Sequence, residues 1–160
     1  MKLSISNNKK DNPIYVFDVD GTVADLTHRL KDKDNKDLFF SQAFDDKPIA
    51  PTINILNLLV NDPDSDVVIL TARPEKIRSL TIDWFSEHTA ILENDITSGK
   101  IPLFMYPEGL EISDAEFKRQ WWGSFENKDR IAVVFEDRNQ CVEMWRSMNI
   151  QCFQVAEGNF

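Results

Sequence analysis

Ile14-Tyr15-Val16-Phe17-Asp18-Val19-Asp20-Gly21-Thr22-Val23-Ala24-Asp25 is the stretch around which this 160-residue chain is organised. Its first four residues form an apolar run rich in β-branched and aromatic side chains, the pattern of a buried strand. The run stops at two carboxylates, Asp18 and Asp20, spaced by one residue. Gly21 follows, where the backbone can turn in a way that a Cβ would hinder. Asp-Gly after an apolar run is also a hairpin signal, and the stretch alone leaves both readings open. A buried strand that carries two acids to its carboxyl end places charge at the rim of a core, where open α/β sheets bind ligands.

Working outward, apolar spacing predicts a short helix over 37–44, a helix over 52–61 and a strand at 67–70 ending in Thr71-Ala72-Arg73-Pro74. A helix over 75–88 and a strand over 102–106 come next, while 91–99 carries no clear period. Ser113-Asp114-Ala115-Glu116 has capping-box spacing and opens a helix running to about 125. A strand at 131–135 ends in Glu136-Asp137-Arg138, and a helix over 139–148 and a last strand over 152–155 complete the chain. Strands alternating with helices imply a doubly wound parallel sheet with helices on both faces, an α/β fold. Residues 1–12 read as a flexible leader and 13–160 as one domain.

Composition narrows the classes. The formal charge of −9 argues against a broad nucleic-acid footprint, although a local basic pocket is compatible with it. The acids Asp32, Asp34, Asp37, Asp45, Asp46, Asp62, Asp64 and Asp66 fall in expected loops and read as a solvated face. Two cysteines and two histidines, without metal-ligand spacing, suggest neither a disulfide framework nor a zinc site. The absence of a membrane-length apolar run or a signal-peptide pattern points to a soluble, cytoplasmic protein.

Three predicted strands thus end in Asp18 and Asp20, in Thr71, and in Glu136 and Asp137. The carboxyl ends of parallel strands share one rim, so these groups can converge. Lys118 stands early in the helix before the 131–135 strand, where the helix dipole gives a cation no reason to be. Taken singly, Thr71 reads as a helix cap and Lys118 as a solvated surface residue. Together and in this order they resemble the four motifs of haloacid-dehalogenase-like (HAD) phosphatases. Glu136-Asp137-Arg138-Asn139-Gln140, Val142-Glu143-Met144-Trp145-Arg146 and Gln154-Val155-Ala156 are similar to the 3′-phosphatase domain of phage polynucleotide kinases. That family has two aspartates in the fourth motif, whereas this chain has Glu136 in the first place. The sole Gly-Lys pair is Gly99-Lys100, with Asn94 in place of a P-loop glycine, so the resemblance does not extend to the kinase half.

The resemblance implies a Rossmann-like HAD fold and a Mg2+-dependent phosphomonoesterase. Asp18 would attack phosphorus to form an aspartyl phosphate, and Asp20 would serve as acid and then base. Thr71 would hydrogen-bond a phosphoryl oxygen, and Lys118 would keep Asp18 ionised. The metal would be held by Asp18, the backbone carbonyl of Asp20 and Asp137, with Glu136 acting through water. Gly21, Thr22 and Ala72 join Arg29, Arg73 and Arg138 as expected substrate contacts. The 49 positions from Thr22 to Thr71 and the 45 from Arg73 to Lys118 each include a crossover helix and strand. Neither then leaves the roughly 40 residues of an independent cap domain. The implied substrate is a nucleic-acid 3′-phosphate end, with a free nucleoside monophosphate (5′-nucleotidase-like) as the alternative. A non-catalytic phosphate- or partner-binding relative would lack Asp18, Asp20 or Lys118, and all three are present.

Overall fold

The computed structural model describes residues 11–158, so residues 1–10 of the expected leader lie outside it. Five strands form one parallel sheet in the order β5-β4-β1-β6-β7. They are β1 (Ile14–Phe17), β4 (Asp66–Pro74), β5 (Leu103–Tyr106), β6 (Ile131–Arg138) and β7 (Cys152–Gly158). The first strand in sequence is thus the central one in space. The hairpin reading of the opening stretch is corrected here, because β1 pairs in parallel with β4 and β6. The Gly21 turn instead leads into β2 (Ala24–Asp25), which pairs antiparallel with β3 (Lys47–Pro48). This two-stranded ribbon was not evident from periodicity, since a strand of two residues has no period to display.

Among the described residues, six α-helices connect the strands: α1 (Lys36–Ser41), α2 (Ala50–Asn61), α3 (Arg78–His88), α4 (Glu93–Thr97), α5 (Asp114–Ser124) and α6 (Asn139–Ser147). The predicted 37–44 helix divides into α1 and a 3-10 turn at Ala43–Asp45, and the 75–88 helix begins with a 3-10 turn at Glu75–Ile77. The unassigned 91–99 stretch contains α4. At α5 the Ser113 hydroxyl accepts the Glu116 N–H at 3.2 Å, which satisfies a donor that the first helical turn leaves free.

Alternation along the strands sorts the core into two layers. Phe17, Val67, Ile69 and Phe135 pack with Ile53 and Leu56 of α2 and with Trp84 and Phe85 of α3. Val16, Val68, Leu70 and Val134 face the other way, onto Phe117 and Trp121 of α5 and Met144 and Trp145 of α6. Both sheet faces are therefore covered, and the carboxyl ends of β1, β4 and β6 lie side by side. Among the described residues, the connections carry no large cap over that rim. No helix among the described residues is long and apolar enough to cross a membrane.

Candidate functional site

Asp18 leaves β1 with its N–H donated to Phe135 O at 3.0 Å, which carries the central-strand ladder one residue beyond the strand. Its buried carboxylate accepts from Lys118 Nζ at 2.8 Å through Oδ1 and from the Thr22 hydroxyl at 3.4 Å through Oδ2. Lys118 is itself buried. It donates also to Glu136 Oε2 at 2.7 Å and lies 3.4 Å from Asp114 Oδ1, one helical turn back on α5. A lysine that read singly as solvated is thus the cation of a buried cluster of three carboxylates. Burial works against its charge, yet Asp114, Asp18 and Glu136 more than offset this and keep it protonated well beyond its ordinary range.

Glu136 turns its other oxygen, Oε1, onto the N–H groups of Asp137 and Arg138, at 3.1 and 3.2 Å. Its extra methylene lets one carboxylate bind the turn after β6 and Lys118 together. Asp137 has different neighbours. Its Oδ1 is buried without a hydrogen-bond partner, and a Cβ added at Gly21 or Gly158 would lie 2.1 or 2.4 Å from its Oδ2. Two glycines from different ends of the chain therefore make room for this carboxylate. Gly21 also adopts φ +86°, a conformation that favours glycine.

Asp18, Glu136 and Asp137 each offer an oxygen such that all three lie within 4.8 Å of one another. Burial, then the adjacent Glu136, push Asp18 well above the usual carboxylate range, against the pull of Lys118. Burial against the Lys118 charge takes Glu136 to about 7, and burial with the Asp18 charge takes Asp137 to about 7. Oxygen donors short of positive charge, one of them unpartnered, suit a hard dication. The side chain of Asp20 is not part of this cluster.

Asp20 belongs to a second network. Its Oδ1 accepts from Arg29 Nη2 at 2.6 Å and from Arg73 Nε and Nη2 at 2.9 and 2.7 Å. The same two guanidiniums hold Asp46, with Arg29 Nε on Oδ1 and both Nη2 groups on Oδ2, at 2.7–2.8 Å. His28 Nε2 lies 2.8 Å from Asp46 Oδ1, and Trp84 Nε1 donates to the Asp46 carbonyl at 2.8 Å. Burial alone would raise Asp20, but Arg73 and then Arg29 outweigh it and hold its carboxyl below the usual range. Its Oδ2 is the oxygen that neither arginine engages.

Several expectations need correcting on this geometry. Arg29 and Arg73, expected as substrate contacts, are fully buried and hold Asp20 and Asp46. Thr22 is fully buried against Asp18, and Gly21 packs on Asp137, so both shape the acids themselves. Asp46 and Asp66 are not solvated: Asp46 forms the arginine network, and Asp66 pairs with Arg130. Thr71 is buried at the end of β4, where its hydroxyl accepts the Arg73 N–H at 3.1 Å, and with Ala72 it lines a pocket shared with Asp18, Asp20, Glu136 and Asp137. Arg138 reaches that pocket too and lies 3.5 Å from Asp114. The pocket encloses about 130 Å³ and has Phe39 and Phe40 of α1 at its edge. Sequence reasoning misread Asp46 as solvated and gave no site role to Asp114, Gly158 or this aromatic pair. Only Asp114 left a trace, four residues before Lys118 on one helix face.

A family model described as the polynucleotide kinase PNKP phosphatase domain matches residues 12–160. Among solved structures, the chain is similar to one titled "Structure of Pnkp1/Rnl/Hen1 complex", with a TM-score of 0.73 and 23% identity over 96% of this chain and 49% of that one. A haloacid dehalogenase-like hydrolase from Streptococcus pneumoniae gives a TM-score of 0.55 at 13% identity, over 89% of this chain and 84% of that one. A phosphatase described as putative, from Clostridium difficile, gives 0.51 at 13%, over 91% and 86%. The three likenesses establish the shared fold. The chain spans about half the length of the first of these proteins.

Proposed function

The chain belongs to the polynucleotide kinase PNKP phosphatase domain family, and from that premise we propose that it is a magnesium-dependent phosphomonoesterase acting through Asp18 on a nucleotidic 3′-phosphate end. The observation that carries this reading is the pairing of Asp18, on Lys118, with Asp20, on Arg29 and Arg73, at the end of one strand. Two carboxylates two residues apart are each held by cations of their own, a buried ammonium on Asp18 and two guanidiniums on Asp20, so each is fixed in a separate orientation for a separate role.

Lys118 orients Asp18 Oδ1 and Thr22 orients Oδ2. Attack by a carboxylate oxygen on phosphorus forms the Asp18 acyl phosphate and breaks the bond to the leaving oxygen. Asp20 gives that oxygen its proton, then takes one from the water that cleaves the acyl phosphate. Before substrate arrives, the arginines hold Asp20 ionised. The negative charge of an arriving phosphate acts in the opposite direction and favours the protonated form that the first step needs. Thr71 and Lys118 meet the phosphoryl oxygens. Bound by Asp18, the Asp20 carbonyl and Asp137, with Glu136 outside, magnesium would supply the positive charge this site lacks and neutralise the transferring group.

A 3′-end substrate is supported by family membership and by the uncapped rim. The rival substrate, a free nucleoside monophosphate, is favoured by the net charge of −9, which repels a polyanion. Phosphate release from 3′- and 5′-phosphorylated mononucleotides and oligonucleotides, with magnesium and with chelator, tests the reading. Preference for 3′-phosphates is the expected result. Efficient turnover of 5′-monophosphates alone would replace it with the nucleotidase reading.

A further inference from the structure

The catalytic pocket holds about 130 Å³, well below the roughly 300–1,000 Å³ of sites that enclose a small molecule. It has room for a phosphoryl group but not for a nucleoside. Phe40, Ala72, Asp114 and Arg138 line both this pocket and a second, open groove of about 680 Å³. That groove is continuous with the site and large enough for one nucleoside and an adjoining phosphate.

Its construction suits such an occupant. Phe40 of α1 offers a half-buried ring where the pocket meets the groove. Tyr106 and Leu110 lie along it, and the segment carrying them is fixed by one hydroxyl: the single Tyr106 O–H proton is shared between the carbonyl oxygens of Leu110 and Ile112, at 3.0 and 2.7 Å, and Oη accepts the Ile112 N–H. A wall held in this way needs little ordering when a ligand arrives. Two ammonium groups, Lys36 and Lys76, line the same groove. Lys76 faces Asp37, whereas Lys36 is exposed and has no ion-pair partner among the described residues. Glu108 already accepts the Lys76 N–H at 3.0 Å. The groove is lined by Lys36, Lys76 and Arg138 against Glu108, Glu111 and Asp114, an even balance in a chain of net charge −9.

We propose that this groove is the nucleoside subsite, with the base of the 3′-phosphorylated nucleotide stacked on Phe40 and the phosphate on its 5′ side received by Lys36. The inference rests on the reading of the catalytic pocket as a 3′-phosphatase site. It makes the recognised unit a 3′,5′-bisphosphorylated nucleoside, whether free or as the last residue of a strand. The contacts are a ring face and one charge, so the subsite tolerates any base.

The test is kcat/KM for glycerol phosphate, a nucleoside 3′-monophosphate and a nucleoside 3′,5′-bisphosphate, with magnesium, at two salt concentrations. Stacking predicts that the 3′-monophosphate exceeds glycerol phosphate by about tenfold or more. The 5′-phosphate predicts a further gain, of roughly severalfold to tenfold, that shrinks as salt rises. Phe40→Ala should collapse the first ratio. Lys36→Ala should collapse the second, and because Lys36 is exposed this variant carries little risk to the fold. Cleavage of 3′-monophosphates with both ratios near one, or with ratios that neither variant changes, overturns the subsite and leaves the phosphatase reading standing. Failure to cleave any 3′-nucleotide while glycerol phosphate or a 5′-monophosphate is cleaved overturns the 3′-end reading, and the proposed subsite falls with it.

Discussion

Asp18 Oδ1 and Lys118 Nζ lie 2.8 Å apart, although 100 residues of chain separate them. Lys118 is the one ammonium among Asp18, Asp114 and Glu136, so removing it leaves buried carboxylates without their counter-charge. Lys118→Ala is expected to lower kcat by about 10²–10³-fold. In the absence of metal it should also cost roughly 3–5 kcal/mol of stability. Rates within a few fold of the parent would show that the ion pair serves the fold alone.

Asp20 is expected to matter most for poor leaving groups. Asp20→Asn should slow alkyl phosphate esters far more than p-nitrophenyl phosphate, whose leaving oxygen needs little protonation. Asp46 holds the same two arginines and has no exposed side-chain surface. Asp46→Asn should therefore reproduce the same selective loss in weaker form, by about tenfold on an alkyl phosphate. Equal losses on both ester classes would remove Asp20 from proton transfer and Asp46 from positioning it.

Stability should depend on pH through Glu136 and Asp137, both pushed up to about 7 in the folded protein. A carboxyl group raised on folding binds more protons when folded than when unfolded. Its contribution is fully present below about pH 4 and is lost as pH rises through about 7. Without metal, this part of the stability should decline between those limits. Added magnesium competes with the bound protons, so its effect on Tm should be small near pH 5 and grow above pH 7. Scanning calorimetry with and without magnesium measures the difference, and a magnesium effect independent of pH would contradict it.

Gly158 ends β7, and a Cβ there would press on Asp137 Oδ2. Gly158→Ala should raise the magnesium concentration for half-maximal activity by about tenfold or more, because Asp137 must shift. Gly123→Ala is the matched control. Nothing lies within 4 Å of a Cβ at Gly123, and this helical site should gain roughly 0.5–1 kcal/mol without altering the metal requirement.

The strand-ending acids were legible because a buried strand that stops at a carboxylate contradicts its own pattern. Asp18, Asp20 and Asp137 announce themselves in this way, and alternation of strands with helices gave the sheet that gathers them. Arg29, Arg73 and Asp46 illustrate the opposite case. Each lies in or beside irregular chain, where polarity reads as exposure, and only their convergence in space shows that the charges cancel inside the protein. Gly158 was silent for a related reason: a glycine's use is set by what approaches it, here a residue 21 positions earlier.

The central position of β1 has a consequence for how the protein is made. The strand that leads into Asp18 and Asp20 leaves the ribosome before its partners β4 and β6, which begin at Asp66 and Ile131. Until β6 has been synthesised, one edge of β1 has no neighbour and the acids after it lack Glu136 and Asp137. Such long-range pairing is slow to form and exposes an apolar strand to intermolecular pairing in the meantime. A nascent chain halted before residue 131 should therefore be sensitive to protease within β1, and protection should appear only once β6 has emerged.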